Sequence, residues 1–188
     1  MGTNLLPNLY LITDRNQTNG RPLVDVVRSA LEGGVRMIQL REKDLSGKEL
    51  FNLAEELREL TNQFGAKLLI NDRVDVALAV GADGVHLGHQ SISVQDARRA
   101  AEASSFLIGV SAHSIEEALQ AQSDGADFIT FGPVYFTPSK ASYGKPAGIG
   151  KVKEAAEAVN IPIYALGGMR RGNIEDVLIA RVYGVAMI

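Results

Sequence analysis

Gln39, Arg41 and Lys43 alternate along the stretch QLREK, so in an extended chain their side chains point the same way. Two cations and an amide converging at a strand end suit a phosphate or pyrophosphate. Charges scattered on a solvated loop are the plainer explanation. Further on, the apolar run KLLI stops at Asn71 and Asp72. A carboxylate there suits a hard cation, because Mg2+ takes one or two carboxylates together with substrate phosphate oxygens. Capping the next helix explains Asp72 equally well. A second apolar run, DGVHLG, ends in His89, Gln90 and Ser91, and a third ends in Ser111, Ala112 and His113. His86 lies inside its run and reads as a packed residue, His113 as the start of a helix.

The segment GPVYFTPSKASYGKPAG, residues 132–148, is long and rich in Pro and Gly. Thr137, Ser139 and Lys140 set two hydroxyls and a cation around a rigid turn. Such a segment reads as a lid over a ligand, with a surface Ω-loop as the other reading. Gly167-Gly168 offers backbone N–H groups to a phosphate, although a tight turn asks for the same residues.

Something has to bring these ends together. A phrase recurs: LEGGVRMIQL from Leu31, VGADGVHLG from Val80, SDGADFITFG from Ser123, and a worn copy, RVYGVAMI, from Arg181. Each reads as a small residue closing a helix and then a buried strand. Gly33 and Gly81 are 48 residues apart and Gly81 and Gly125 are 44, a spacing of two strand–helix units per period. Between the copies lie NLYLIT, AKLLIN, SFLIGVS and IPIYALGG, which makes eight strands. A helix is expected over 46–65, opened by a capping box of Ser46 and Glu49, and a second box is expected at Ser114 and Glu117. Continuous apolar strands alternating with helices predict a parallel sheet covered by helices. Eight units predict an α/β (β/α)8 TIM barrel, a single domain over 1–188, whose eighth helix is missing because the chain stops at Ile188. In that architecture the residues just past each strand share one face.

Composition narrows the classes. Net charge is −3 with acids and bases interspersed, so no basic stripe favours nucleic acid. The absence of cysteine excludes disulfides and thiolate chemistry and suits a reducing cytoplasm. No apolar stretch approaches the length of a membrane span, and the first residues lack a signal-peptide pattern. Small phosphorylated molecules are the expected partners. A barrel with an uncovered seam also makes a homo-oligomer an expectation.

Five segments in order, QLREK, INDRVDVALAVGADGVHLG, IGVSAHS, GADFITFGPVYFTPSK and ALGG, together resemble the thiamine phosphate synthase family over essentially the whole chain. The resemblance implies a Mg2+-dependent transferase. It joins hydroxymethylpyrimidine diphosphate to hydroxyethylthiazole phosphate and releases pyrophosphate. It implies that Gln39, Arg41 and Lys43 grip the pyrimidine diphosphate and that Asn71 and Asp72 sit at the diphosphate and the metal. It places Ser111 by the pyrimidine and the leaving group, and Lys140 on the pyrophosphate beside Thr137 and Ser139. Ser111, Lys140 and Arg41 are the implied catalytic residues, and Gly168 helps bind the thiazole phosphate. Two departures stand out. Ser91 occupies the position of the family's second metal carboxylate, and the chain ends before a Ser that follows the family's last strand. A related barrel, the thiazole tautomerase, lacks the metal site and usually has a His after the glycine of the sixth strand. Here Gly132-Pro133-Val134, Asn71-Asp72 and Lys43 side with the synthase. A phosphate-ligand binder without turnover is the remaining alternative.

Overall fold

The computed structural model describes residues 6–102, 105–137 and 146–188. Eight strands, β1 (Leu9–Ile12), β2 (Met37–Leu40), β3 (Lys67–Asn71), β4 (Gly84–Leu87), β5 (Leu107–Ala112), β6 (Phe128–Phe131), β7 (Ile163–Leu166) and β8 (Gly184–Met187), close in sequence order into a barrel. Every neighbouring pair is parallel, and β1 meets β8 with Leu9 opposite Val185. Among the described residues, seven α-helices alternate with them: α1 (Leu23–Glu32), α2 (Gly47–Gln63), α3 (Val74–Ala79), α4 (Val94–Ala101), α5 (Ile115–Ser123), α6 (Gly148–Ala158) and α7 (Ile174–Leu178). Only Ile188 follows β8 in this chain. Among the described residues, no helix is long and apolar enough to cross a membrane.

The strands read as unbroken apolar runs because both of their faces are buried. Along β2, Met37 faces the barrel interior and Ile38 packs outward under the helices. On β6, Phe128 and Ile129 divide in the same way, and on β7 Tyr164 and Ile163. Inside, Tyr10, Phe128 and Tyr164 stack edge-on or tilted, with ring centroids 5.4–5.7 Å apart. All three side chains are fully buried, so they plug the lower half of the barrel.

Local signals account for the helix ends. Ser46 and Glu49 make the expected reciprocal capping box on α2. At α5 only half of the box forms. Ser114 Oγ accepts from the Glu117 amide at 3.2 Å, but the Glu117 carboxylate reaches past Ser114 to the His113 amide at 2.7 Å. The recurring small residue closes its helices in the left-handed region at Gly34, Gly81 and Gly125, with φ of 102°, 63° and 92°. Arg181 does the same in the worn copy, at φ 59°. The repeat is therefore anchored at Gly34 rather than Gly33, which is still right-handed at φ −72°.

The repeat extends to side chains at the end where the strands begin. Asp83, ahead of β4, accepts from the Leu68 amide at 2.9 Å and from Arg58 of α2 at 2.5 Å. Asp127, ahead of β6, accepts from the Ile108 amide at 2.7 Å and from Arg98 of α4 at 2.7 Å. Each arginine also donates to the backbone carbonyl just before the neighbouring strand, Arg58 to Ala66 and Arg98 to Phe106. Each clamp ties one strand, the next strand and the helix that precedes the first of them. Asp127→Ala would leave the Ile108 N–H without its acceptor and take the carboxylate from a partly buried guanidinium. It should cost about 2–3 kcal/mol, read as a fall in melting temperature of roughly 4–12 °C. Turnover per folded molecule should stay within about twofold, because the clamp sits at the far end from the site described next.

Candidate active site

A cavity of about 350 Å3 opens where the strands end. Gln39, Arg41, Lys43, Asn71, Asp72 and Ser111 all face it, joined by His86, His89, Gln90, His113 and Thr130. A cleft of about 380 Å3 at the opposite end holds Arg36, Arg58, Lys67 and Asp83, but the Arg58 guanidinium there is taken up by Asp83 and Asn62.

Alternation puts Gln39, Arg41 and Lys43 on the cavity and turns Glu42 the other way. Gln39 is 1 % exposed and its amide donates to the Tyr10 hydroxyl at 2.8 Å. Arg41 is half-buried and Lys43 exposed. Arg41 is held through its backbone, whose N–H donates to Thr13 Oγ1 at 2.9 Å. Thr13 in turn donates to Glu42 Oε1 at 2.6 Å. Glu42, 5 % exposed, also accepts from the Arg15 amide at 3.1 and 3.2 Å. Arg15 spans the two loops with a paired contact to Asp44 at 2.6 and 2.7 Å. The sequence pointed to Arg41 and Lys43, and the structure adds the carboxylate between them that fixes their loop. Glu42→Gln keeps the shape but turns one acceptor into a donor. It should cost about 2–3 kcal/mol in denaturant unfolding and lower activity as Arg41 loosens.

Asp72 does not cap a helix. The residue ahead of α3 is Arg73, with no side-chain cap bond. Asp72 instead sits at φ 61°, a left-handed conformation that Asp tolerates better than most residues. That turn aims its carboxylate at the cavity wall. Asn71 Nδ2 donates to Oδ2 at 2.7 Å, the Gly88 amide to Oδ1 at 3.3 Å, and the Ser91 hydroxyl to the same Oδ1. Ser91 thus lies directly against Asp72, and the Gly88 amide reaches its Oγ at 2.6 Å. Asp72 and Ser91 provide one carboxylate and one hydroxyl, and no group of three acidic or histidine ligands exists among the described residues.

At the cavity floor lies His86, packed within its run as expected, beside Thr130, which the sequence did not single out. His86, 3 % exposed, has Nε2 3.0 Å from Ser111 Oγ and 3.3 Å from Thr130 Oγ1, while Nδ1 lies 3.4 Å from the Tyr10 hydroxyl. Burial pushes its pKa down to about 3, with Asp72 pulling the other way and Arg41 adding to the fall, so the ring is neutral. Burial likewise raises the Tyr10 hydroxyl, against a smaller opposing pull from Gln39. Gln39, His86 and Thr130 are the same position in successive copies of the repeat, a signal that would have found Thr130. His113 was expected to start a helix but lies one residue ahead of Ser114, the N-cap of α5; it lines the cavity, with Nδ1 on the Gly132 carbonyl.

The remaining expectations divide. Thr137 is described and does not line the cavity. Ser139 and Lys140 lie outside the described residues. Gly168, at φ 68°, packs against Tyr135 and Phe136 of the segment after β6, where a Cβ would come within 2.8 Å of the Tyr135 side chain. Its carbonyl accepts from Asn173 Nδ2 at 2.9 Å.

Comparison with known proteins gives relatives for the whole described barrel. A relative from Geobacter sulfurreducens, described as a putative thiamine-phosphate synthase, is 55% identical over 181 residues, 96% of this chain and 84% of its own. A thiamine-phosphate synthase from Clostridium novyi is 42% identical over 96% of this chain and 88% of its own. Among solved structures, thiamine phosphate pyrophosphorylase from Pyrococcus furiosus superimposes with a TM-score of 0.86 at 40% identity, covering 96% of this chain and 85% of that one. An N-acetylmannosamine-6-phosphate 2-epimerase from Clostridium perfringens, at a TM-score of 0.71 and 17% identity over 96% and 85%, shares the fold alone. The model of the family described as thiamine monophosphate synthase matches residues 9–188, and the chain belongs to that family.

Proposed function

We propose that the chain condenses hydroxymethylpyrimidine diphosphate with hydroxyethylthiazole phosphate to give thiamine phosphate and pyrophosphate. The observation that carries this reading is one cavity lined by Arg41, Lys43, Asn71 and Asp72, with the Ser91 hydroxyl bonded to Asp72. The reaction breaks the C–O bond to the diphosphate. Its electron pair leaves on pyrophosphate, and the thiazole nitrogen donates a pair to the carbon cation that the pyrimidine stabilises. Such chemistry needs charge balance on the leaving group more than a strong base. Arg41 and Lys43 meet the diphosphate, and Gln39 and Ser111 face the pyrimidine from the floor. Lys140, Ser139 and Thr137 would close over the pyrophosphate, and Gly168 would take part in holding the thiazole phosphate.

The donor set fits a hard divalent cation held by Asp72, with Ser91 or water and diphosphate oxygens completing its shell. When bound, Mg2+ would offset charge on the departing pyrophosphate. One carboxylate where two would bind more strongly makes the ion depend on the substrate for retention. Ser91→Asp should therefore lower the half-saturating Mg2+ concentration by about tenfold, and calorimetric titration of Mg2+ into the substrate-free protein should show the same direction. An unchanged Mg2+ requirement in both would mean that residue 91 does not face the ion. The cysteine-free composition supports a cytoplasmic setting for this activity.

The test of the function is thiamine phosphate formation from the two substrates across a Mg2+ titration. Saturable, Mg2+-dependent product is expected. Folded protein that makes none at saturating Mg2+ would overturn the reading.

A further inference from the structure

His86 has no part in the roles set out for Gln39, Arg41, Lys43 and Asp72, yet it stands at the centre of the barrel between two walls. A count of protons gives it one. Gln39 Nε2 donates to the Tyr10 oxygen at 2.8 Å, so the phenol accepts on that side. Its own hydrogen is left for His86 Nδ1, 3.4 Å away. A neutral imidazole that accepts at Nδ1 carries its hydrogen on Nε2. That N–H faces Ser111 Oγ at 3.0 Å, with Thr130 Oγ1 at 3.3 Å. Ser111 Oγ then accepts from His86, and it makes no other hydrogen bond among the described residues. Its hydrogen is free to turn into the cavity, which Ser111 lines.

We propose that His86 is a positioning residue: Tyr10 holds it as the Nε2–H tautomer, and it fixes Ser111 as a hydrogen-bond donor aimed at the diphosphate substrate. The proposal rests on the functional reading above for the identity of that substrate. The chemistry selected is a lone pair at the Ser111 side of the cavity, on a ring nitrogen or on the oxygen that leaves. The reverse wiring, with hydrogen on Nδ1, would let Ser111 spend its hydrogen on His86 and present only an acceptor. Space for the imidazole comes from Gly109 on the neighbouring strand, where a Cβ would lie 2.7 Å from Nδ1.

Two measurements test this, and the first needs no turnover. In 15N spectra of the full chain labelled at its three histidines, with His86 assigned as the signal that persists in both His89→Gln and His113→Gln, Nε2 should be protonated and Nδ1 bare at neutral pH. Tyr10→Phe should convert this to a mixture of tautomers. A His86 protonated on Nδ1 in the unsubstituted chain overturns the proposal. The second is a double-mutant cycle. His86→Gln should lower kcat/KM about tenfold in the natural background and less than about twofold in the Ser111→Ala background. Equal losses in both mean that His86 does not act through Ser111. If the His86 variant does not fold, the tautomer measurement on the natural chain decides. A natural chain that makes no thiamine phosphate sinks the functional reading, while the spectra still decide the wiring.

Discussion

Asp72→Ala is expected to lower kcat/KM for thiamine phosphate formation by about a hundredfold or more, with the residual rate nearly independent of Mg2+. Asp72 supplies the sole carboxylate of its cluster, since its direct neighbour is a Ser91 hydroxyl. Nothing on the next strand end takes over its charge. Alanine also tolerates φ 61° less well than Asp, at roughly 1–2 kcal/mol, so a stability loss accompanies the activity loss. Asp72→Asn separates the two effects. The amide keeps the shape and the tolerance of the turn but removes the charge. It should melt close to the natural protein and lose nearly as much activity as Ala. Steady-state kinetics beside thermal melts read both, and an Asn variant with near-normal turnover would show that the carboxylate charge is not required.

Gly109→Ala should damage both the packing of the barrel interior and the candidate site. A Cβ at this position would lie 2.3 Å from Phe128 Cζ and 2.6 Å from Phe128 Cε2, besides its contact with His86. The Phe128 ring has no room to swing, because Tyr10 and Tyr164 stack against it. Overpacking of this kind costs about 3 kcal/mol, or roughly 6–12 °C in melting temperature for a chain of this size. A second effect follows from the same geometry. Pushing the imidazole away from β5 lengthens its bond to Ser111, so kcat/KM per folded molecule should fall as well. An Ala variant that melts with the natural protein would mean that the interior rings reorganise freely, against the close packing described.

How far these residues could be read before the structure depended on what positions them. The eight strands were legible because each is apolar on both faces. Gln39, Arg41 and Lys43 were legible because alternation is a local rule. Ser91 was legible as a departure only through the resemblance to the family, and the structure sets its hydroxyl against Asp72. What escaped was set by long-range pairing. Glu42 sits between two residues that were singled out, but its partners Thr13 and Arg15 belong to the preceding strand end. The Gln39–Tyr10–His86–Ser111 chain crosses the barrel over four strands, and no window of sequence contains it. Asp72 was ambiguous between capping and ligand binding until its backbone angle turned the side chain off the helix. The expected second capping box failed in half, since Glu117 found a better donor one residue earlier.

The paired clamps of Arg58 with Asp83 and Arg98 with Asp127 divide the molecule's vulnerability between its two ends. Damage at the clamp end is read as lost folded protein with its chemistry intact, whereas damage at the cavity end is read in the chemistry as well as in stability. A lineage carrying this arrangement can vary residues such as Ser91 at the mouth without solving the folding problem again. Each such trial draws on a stability reserve kept by the arginine–aspartate pairs at the other end of the strands.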